Sequence, residues 1–280
     1  MVASTSNLIT SPAARAIKRR FRHLWKRYLR WPVPLWRAQG FARLDLAGHE
    51  FKFRVATPAL WWLKQLHEGK WQKGVMQFLK DTLQPGDVYF DIGPWIGIYT
   101  LLPAKLVAPD GRVYAFEPDT LARRLLGQNL AANRLSNVTV LPYAVTDREG
   151  SARFEAGKGT SEGKVMRSGG DVEVQTVTLK NFCEKHNVYP SAIKISAEGQ
   201  EPKILAGAAG VLRKTRVIIL EFHRPRLCAA GEDPSEYFQS LFNLGRRVIL
   251  LYELSRDGLK PGTELTKQYV PADYTKLALL

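Results

Sequence analysis

The stretch that most limits what this chain can fold into is Asp87–Thr100, Asp-Val-Tyr-Phe-Asp-Ile-Gly-Pro-Trp-Ile-Gly-Ile-Tyr-Thr. Val88, Tyr89, Phe90 and Ile92 are β-branched or aromatic and predict a buried strand. Gln84-Pro85-Gly86 is the turn before it. Gly93 and Gly97 then bracket a tight loop. Apolar residues at Ile98, Leu101, Leu102 and Leu106 predict a helix over 96–107. A strand, a glycine loop and a helix form an element that binds nucleotides. Glycine lets the backbone come close to a ligand, and a helix N-terminus offers N–H groups.

The ligand can be narrowed from the residues. The dinucleotide fingerprint Gly-x-Gly-x-x-Gly is missing, which argues against a nicotinamide dehydrogenase. An acid, Asp91, stands two residues before the first glycine, where it suits a ligand carrying a cationic ammonium. The next predicted strand, Arg112–Phe116, ends in Glu117-Pro118, and an acid there can accept both ribose hydroxyls. Asp91 and Glu117 together fit the amino-acid and ribose portions of S-adenosylmethionine (SAM).

The ordered set of motifs from Gln84 to His223 resembles the FkbM family of methyltransferases. It comprises Pro85-Gly86-Asp87-Val88, Asp91-Ile92-Gly93, Tyr99-Thr100-Leu101, Gly111–Pro118, Asn129, Leu135–Val140, Ala144-Val145, Ile193-Lys194-Ile195, Glu198-Gly199, Glu201 and Leu205–Ala208. The combination is far more specific than any one piece. The resemblance implies a Rossmann-like class I methyltransferase: an α/β fold with a seven-stranded, mostly parallel sheet, its last strand antiparallel, and helices on both faces. It also implies SAM as cofactor, held by Asp91, Gly93, Trp95, Gly97, Tyr99, Thr100, Glu117, Pro118 and Ala144. The implied reaction is O-methylation of a sugar, glycolipid or natural product, so the expected partner is a small-molecule or glycan-like acceptor.

The 280 residues suffice for one large core and an appendage. Only two cysteines, Cys183 and Cys228, are present, so there is neither a disulfide framework nor a Cys-x-x-Cys metal site; no metal is expected. No apolar run approaches the length of a membrane span. The net charge of +15 is concentrated at one end, where ten Lys/Arg precede the first acid, Asp45. Within that arm, Ile17, Phe21, Leu24 and Tyr28 form an apolar stripe opposite Lys18, Arg19, Arg22, Lys26 and Arg30. Such a basic amphipathic helix suits an anionic membrane surface; packing on its own domain and a cleaved targeting segment are the alternatives. No stacking platform accompanies the charges, so nucleic acid is not the expected partner. A cytoplasmic protein, peripheral at the inner face of a membrane, is the expected setting.

Three regions follow: the arm, 1–40; a hairpin and helices packed on the core, 41–83; and the methyltransferase domain, 84–280. Trp31-Pro32-Val33-Pro34 ends the arm's helix. Phe41–Val55 predicts a hairpin turning at Ala47-Gly48. Pro58–Glu68 and Trp71–Leu83 predict helices, whose Trp61, Trp62 and Trp71 form either a lid over the substrate or ordinary core. Asp119 is a helix cap. Ser151–Glu155 pairs with Val172–Val177 across a glycine-rich loop, 157–170. Core strands are expected at 138–141, 192–196 and 217–222, with a late strand at 247–254. The tail beyond carries no readable motif.

A hydroxyl acceptor needs a base at the carboxyl ends of the core strands. That limits the choice to Ser196, Glu198, Glu201, Glu221 and His223, of which Glu198, His223 and Ser196 are the catalytic candidates. Two departures from the family pattern bear on activity. Ser196 stands where the family carries aspartate in Ile-Lys-Ile-Asp-Val-Glu-Gly. Trp95 stands in a loop that is commonly Gly-Ala-Asn-x-Gly, where it either lines the site or fills it. A catalytically inactive scaffold or binding module is therefore the alternative to an enzyme. The stretch Ser196-Ala197-Glu198-Gly199 lacks the Asn/Asp-Pro-Pro-aromatic motif of base methylation.

Overall fold

The computed structural model describes residues 36, 38–69, 73–157, 163–166, 169–208, 210–253, 261–269, 271 and 273–280. The basic arm helix, the Trp31–Pro34 break, Trp71 and much of the 157–170 loop lie outside the described residues.

The centre is a seven-stranded sheet. In chain order its strands are β3 (Val88–Ile92), β4 (Arg112–Phe116), β5 (Val138–Leu141), β10 (Ala192–Ile195), β11 (Val217–His223), β12 (Val248–Glu253) and β13 (Tyr274–Leu279). They lie side by side as β12-β13-β11-β10-β3-β4-β5. The five strands from β11 to β5 run parallel, and β13 is antiparallel to both its neighbours. This is the α/β sheet with an antiparallel last strand that the motifs implied. The unreadable tail is that strand: β13 inserts between β11 and β12 and is almost wholly buried.

Strand side chains alternate between faces, and the core divides accordingly. Tyr89, Val113, Ala115, Ala192, Ile219 and Ala278 pack on one face with α1 (Leu60–His67), α2 (Lys73–Thr82), α3 (Leu101–Val107) and α4 (Thr120–Ala132). Phe90, Phe116, Ile193, Ile195, Ile218, Leu220 and Leu277 pack on the other. That second layer includes α5 (Leu179–His186), α6 (Glu201–Ala206), α7 (Val211–Lys214), α8 (Arg224–Ala230) and α9 (Pro234–Leu241). Sheets sandwiched in this way are the stable solution for mostly parallel strands.

The hairpin β1 (Phe41–Leu46) and β2 (His49–Arg54) turns at Ala47 and Gly48, both at positive φ, the geometry that suits a two-residue hairpin. Asn129 of α4 and Asn133, which follows its last turn, tie it down. Asn129 Oδ1 accepts the Arg54 N–H at 2.6 Å while its amide donates to the Ile96 carbonyl at 2.8 Å. Asn133 brackets the Lys52 backbone in the same manner.

A second, four-stranded sheet follows β5: β6 (Tyr143–Val145), β7 (Gly150–Glu155), β8 (Lys164–Met166) and β9 (Val172–Val177), ordered β6-β9-β7-β8. The β7–β9 pairing is the one expected. The short β8, on the edge, was not foreseen because its three residues sit in a glycine-rich polar run.

Candidate functional site

The loop after β3 differs from expectation in one respect that matters. The helix begins at Leu101, not at 96. Residues 94–100 are held in successive turns, with Gly97 N–H bonded to Pro94 O and Leu101 N–H to Gly97 O. The cause is backbone conformation: Trp95 has φ +51° and Gly97 φ +94°, and neither value is helical. The loop, rather than a helix N-terminus, thus faces the ligand space.

That space is a cavity of about 630 Å³ at the carboxyl ends of the strands, within the range of ligand sites. It is lined by Gly93, Pro94, Trp95, Tyr99, Glu117, Pro118 and Ala144 and, from the ends of β10 and β11, by Ser196, Glu198, Glu221 and His223. The two groups meet at Gly93, which has no room for a Cβ against the Ser196 carbonyl. Asp91, Gly97 and Thr100 do not reach it. Asp91 is fully buried behind the loop, where its carboxylate accepts from Thr100 Oγ1 at 2.7 Å and pairs with Lys194 Nζ at 3.2 Å. The Lys194 ammonium also donates to Gly93 O at 2.8 Å. A cation from the chain itself already holds the acid assigned to the cofactor's ammonium.

Glu117 keeps its ligand-facing position. One oxygen accepts the Trp95 N–H and the other the Asp119 N–H, each at 2.9 Å. Those bonds spend about two of the roughly four lone-pair sites of a carboxylate, which leaves capacity for the hydroxyls of a ribose. Burial pushes Glu117 up to about 7 despite the two backbone donors. Next to it Asp119 caps α4, accepting from Leu121 and Ala122 N–H, and its other oxygen accepts from Gly157 N–H at 2.9 Å. The residues present fit an adenosyl ligand at its ribose, while the Asp91 carboxylate is taken up by Thr100 and Lys194.

At the ends of β10 and β11 two ion pairs neutralise the carboxylates. Glu221 and Lys276 are cross-strand register partners on β11 and β13, and their charged atoms are 2.6 Å apart. The Ser196 hydroxyl donates to the same carboxylate. Burial works to raise Glu221, but the Lys276 charge, its hydrogen bond and that of Ser196 outweigh it and hold the group at about 2. Glu198 sits at φ +53° and pairs with Arg226 at 2.9 Å. Glu201, also weighed as a base, is outside the cavity. It is buried and accepts from the Ala197 and Gly199 N–H groups at 2.6 and 2.9 Å, so it holds the 196–199 loop in shape. His223 lines the cavity half-buried, and burial lowers its pKa below 6.5, Arg226 and Lys276 adding to the effect and Glu221 and Asp273 opposing it.

Aromatic side chains complete the walls. Trp61 and Trp62 of α1 line the cavity and meet edge to face at 4.5 Å; Trp62 meets Trp95 at 6.4 Å. Trp61 is 56% exposed, so it is not core. Tyr252 and Tyr274 come from β12 and β13. The sequence reading missed Lys276, Tyr252 and Tyr274 altogether. The one available signal was Lys276, set directly before the apolar run Leu277-Ala278-Leu279-Leu280.

The sheet order and the cavity at its carboxyl ends define a Rossmann-like class I methyltransferase fold. The methyltransferase FkbM domain matches residues 91–248, more than half of the chain, and the chain belongs to that family. The 2-O-methyltransferase NoeI of Sinorhizobium fredii is 24% identical over 134 residues, 41% of this chain and 54% of that protein. The ribosomal protein L11 methyltransferase of Caldanaerobacter subterraneus subsp. tengcongensis is 35% identical over 68 residues, 24% of this chain and 21% of that one. The chain thus spans between about a fifth and about half of the length of these curated relatives. The solved structure of methyltransferase FkbM from Methylobacillus flagellatus KT aligns at 13% identity with a TM-score of 0.45, covering 91% of this chain and 60% of that one.

Among the described residues no helix is long and apolar enough to cross a membrane.

Proposed function

We propose that the chain is a SAM-dependent methyltransferase that methylates a hydroxyl oxygen of a sugar, glycolipid or natural product. Residues 84–280 form the catalytic unit, and 41–83 pack on it and supply Trp61 and Trp62. The observation that carries the reading is one cavity lined together by Glu117, the Gly93 loop, Ser196 and His223. Family membership supports the reaction class, and the 2-O-methyltransferase relative supports a hydroxyl as the acceptor.

SAM supplies an activated methyl group when bound. The chain's residues do the rest. Glu117 accepts the ribose hydroxyls and the Gly93 loop fixes the cofactor's orientation, which is the positioning part of catalysis. His223 takes the acceptor's proton. Its lowered pKa leaves the imidazole neutral at pH 7, whereas Glu221 near 2 is a weak base and Glu198 is engaged by Arg226. Ser196, bonded to Glu221, orients the acceptor hydroxyl. The ten basic residues before Asp45 suit an acceptor presented at an anionic membrane in the cytoplasm.

The test is calorimetric titration of S-adenosylhomocysteine (SAH) into the full chain, followed by transfer of label from SAM to a panel of glycans and glycolipids. Wild type binds SAH, Glu117→Ala does not, and His223→Asn binds SAH but loses transfer by roughly 10²–10⁴-fold. With His223 as base, transfer rises with pH through a pKa below 6.5 and levels off near neutrality. Absence of SAH binding by wild type refutes the reading, and undiminished transfer by His223→Asn removes the assigned base.

A further inference from the structure

Two features of the site call for a common explanation. First, Trp95 holds a left-handed backbone, φ +51°. L-residues visit that region rarely, and a bulky aromatic there is a true outlier. Its N–H bond to Glu117 keeps it there. Strain of this sort persists where the surrounding structure requires it, commonly at a ligand site. Trp95 is 8% exposed, and what remains accessible is in the cavity wall, with Trp62 packed against the indole.

Second, the acids of β3, of β11 and of the loop after β10, in and behind the cavity wall, are already matched by the chain's own cations. Lys194 pairs with Asp91, Lys276 with Glu221 and Arg226 with Glu198. The Tyr99 ring is engaged as well: the ammonium groups of Lys194 and Lys276 lie 5.4 and 5.2 Å from its centroid. Glu117 is desolvated, raised to about 7 and committed to the ribose end. Asp119, the remaining acid of the wall, is taken up by the Leu121, Ala122 and Gly157 N–H groups. A ligand with a permanent positive charge on sulfur therefore enters a site whose acids are already engaged.

Resting on the cofactor reading above, we infer that Trp95 is the charge-recognition element for the cofactor: its indole is the π-surface that stabilises the sulfonium. Aromatic quadrupoles attract such cations, and tryptophan does so best. The physical consequence is discrimination between substrate and product forms. SAM carries the charge and gains the contact, and SAH has lost the charge and does not. A site built this way favours loading over product retention without needing a free carboxylate, which would have to stay ionised and buried.

The experiment is isothermal calorimetry of SAM and of SAH, separately, with full-length wild type, Trp95→Asn and Trp95→Phe. Asparagine accepts the left-handed backbone readily, so Trp95→Asn should fold, and a melting curve checks that it does. Trp95→Asn is expected to weaken SAM roughly 5- to 30-fold, the range for a partly to fully desolvated cation–π contact, with SAH changed less than about 3-fold. Trp95→Phe retains part of the preference for SAM. Equal weakening of both ligands overturns the inference and makes Trp95 a general wall. Tighter binding of both by Trp95→Asn also overturns it and makes the indole a plug. If wild type binds neither ligand, the cofactor reading itself fails and takes this inference with it.

Discussion

Lys276→Met is the perturbation that most directly tests the charge arrangement of the site. The Lys276 and Glu221 side chains are 3% and 8% exposed with their charges 2.6 Å apart. Removing the ammonium strands a carboxylate in a place where burial raises its pKa, and takes away the largest of the effects that counter burial, ahead of Ser196 and Lys194. The lysine holds much of a shift from 4.5 to about 2. At about 1.36 kcal/mol per unit that is about 3 kcal/mol, in line with about 3–5 kcal/mol for breaking a buried pair from one side. The wild-type pair contributes less than this, because burial and the nearby Lys194 lower the Lys276 pKa. The sign with pH distinguishes the mechanisms. A depressed carboxylate stabilises the wild type above about pH 4.5, and the contribution is lost as pH falls toward 2. In Lys276→Met the carboxylate is raised instead, so the penalty is full at pH 8 and shrinks at pH 5. Urea unfolding at both pH values measures it. The double variant Lys276→Met/Glu221→Gln removes the stranded charge and should recover to within about 1 kcal/mol of wild type. A loss under about 1 kcal/mol at pH 8, or a further loss on adding Glu221→Gln, refutes the reasoning.

Glu117 should give the opposite pH signature. Its folded pKa is raised from 4.5 to about 7, so wild type loses stability relative to Glu117→Gln as pH climbs from 5 to 8, by up to about 3 kcal/mol. A difference that stays flat with pH in urea melts contradicts this. Asn129→Ala removes the link between the hairpin and the glycine loop and leaves the buried Ile96 carbonyl and the part-buried Arg54 N–H unpaired. A cost of about 2–4 kcal/mol is expected from two such groups, together with faster amide exchange at Arg54; exchange unchanged at that amide would argue against the link.

Several parts of this protein were legible because they are local. The β3 strand and its glycine loop, the Glu117 strand end, the Asp119 cap and the β7–β9 pairing each follow from a few neighbouring residues whose propensities agree. That Glu117 lines the cavity followed from an acid closing the second core strand. The hairpin at Ala47-Gly48 needed only its alternation and its turn. Where local rules misplaced the start of α3, two positive backbone angles were responsible, those of Trp95 and Gly97, which delay it to Leu101.

The composition of the site belongs to the tertiary structure. Asp91 is called to the cofactor by its spacing, yet the parallel register of β3 with β10 sets Lys194 directly beside it. Glu221 is unremarkable until the antiparallel β13 brings Lys276, 55 residues later, to the same register. Trp61 and Trp62 reach the cavity from a helix that precedes the core strands. In each case the partner is set by strand order and register, which depend on how the whole sheet buries its two faces. Local sequence determined which groups could carry charge or bind a nucleotide, and the packing of distant strands decided which of those charges remain for a ligand.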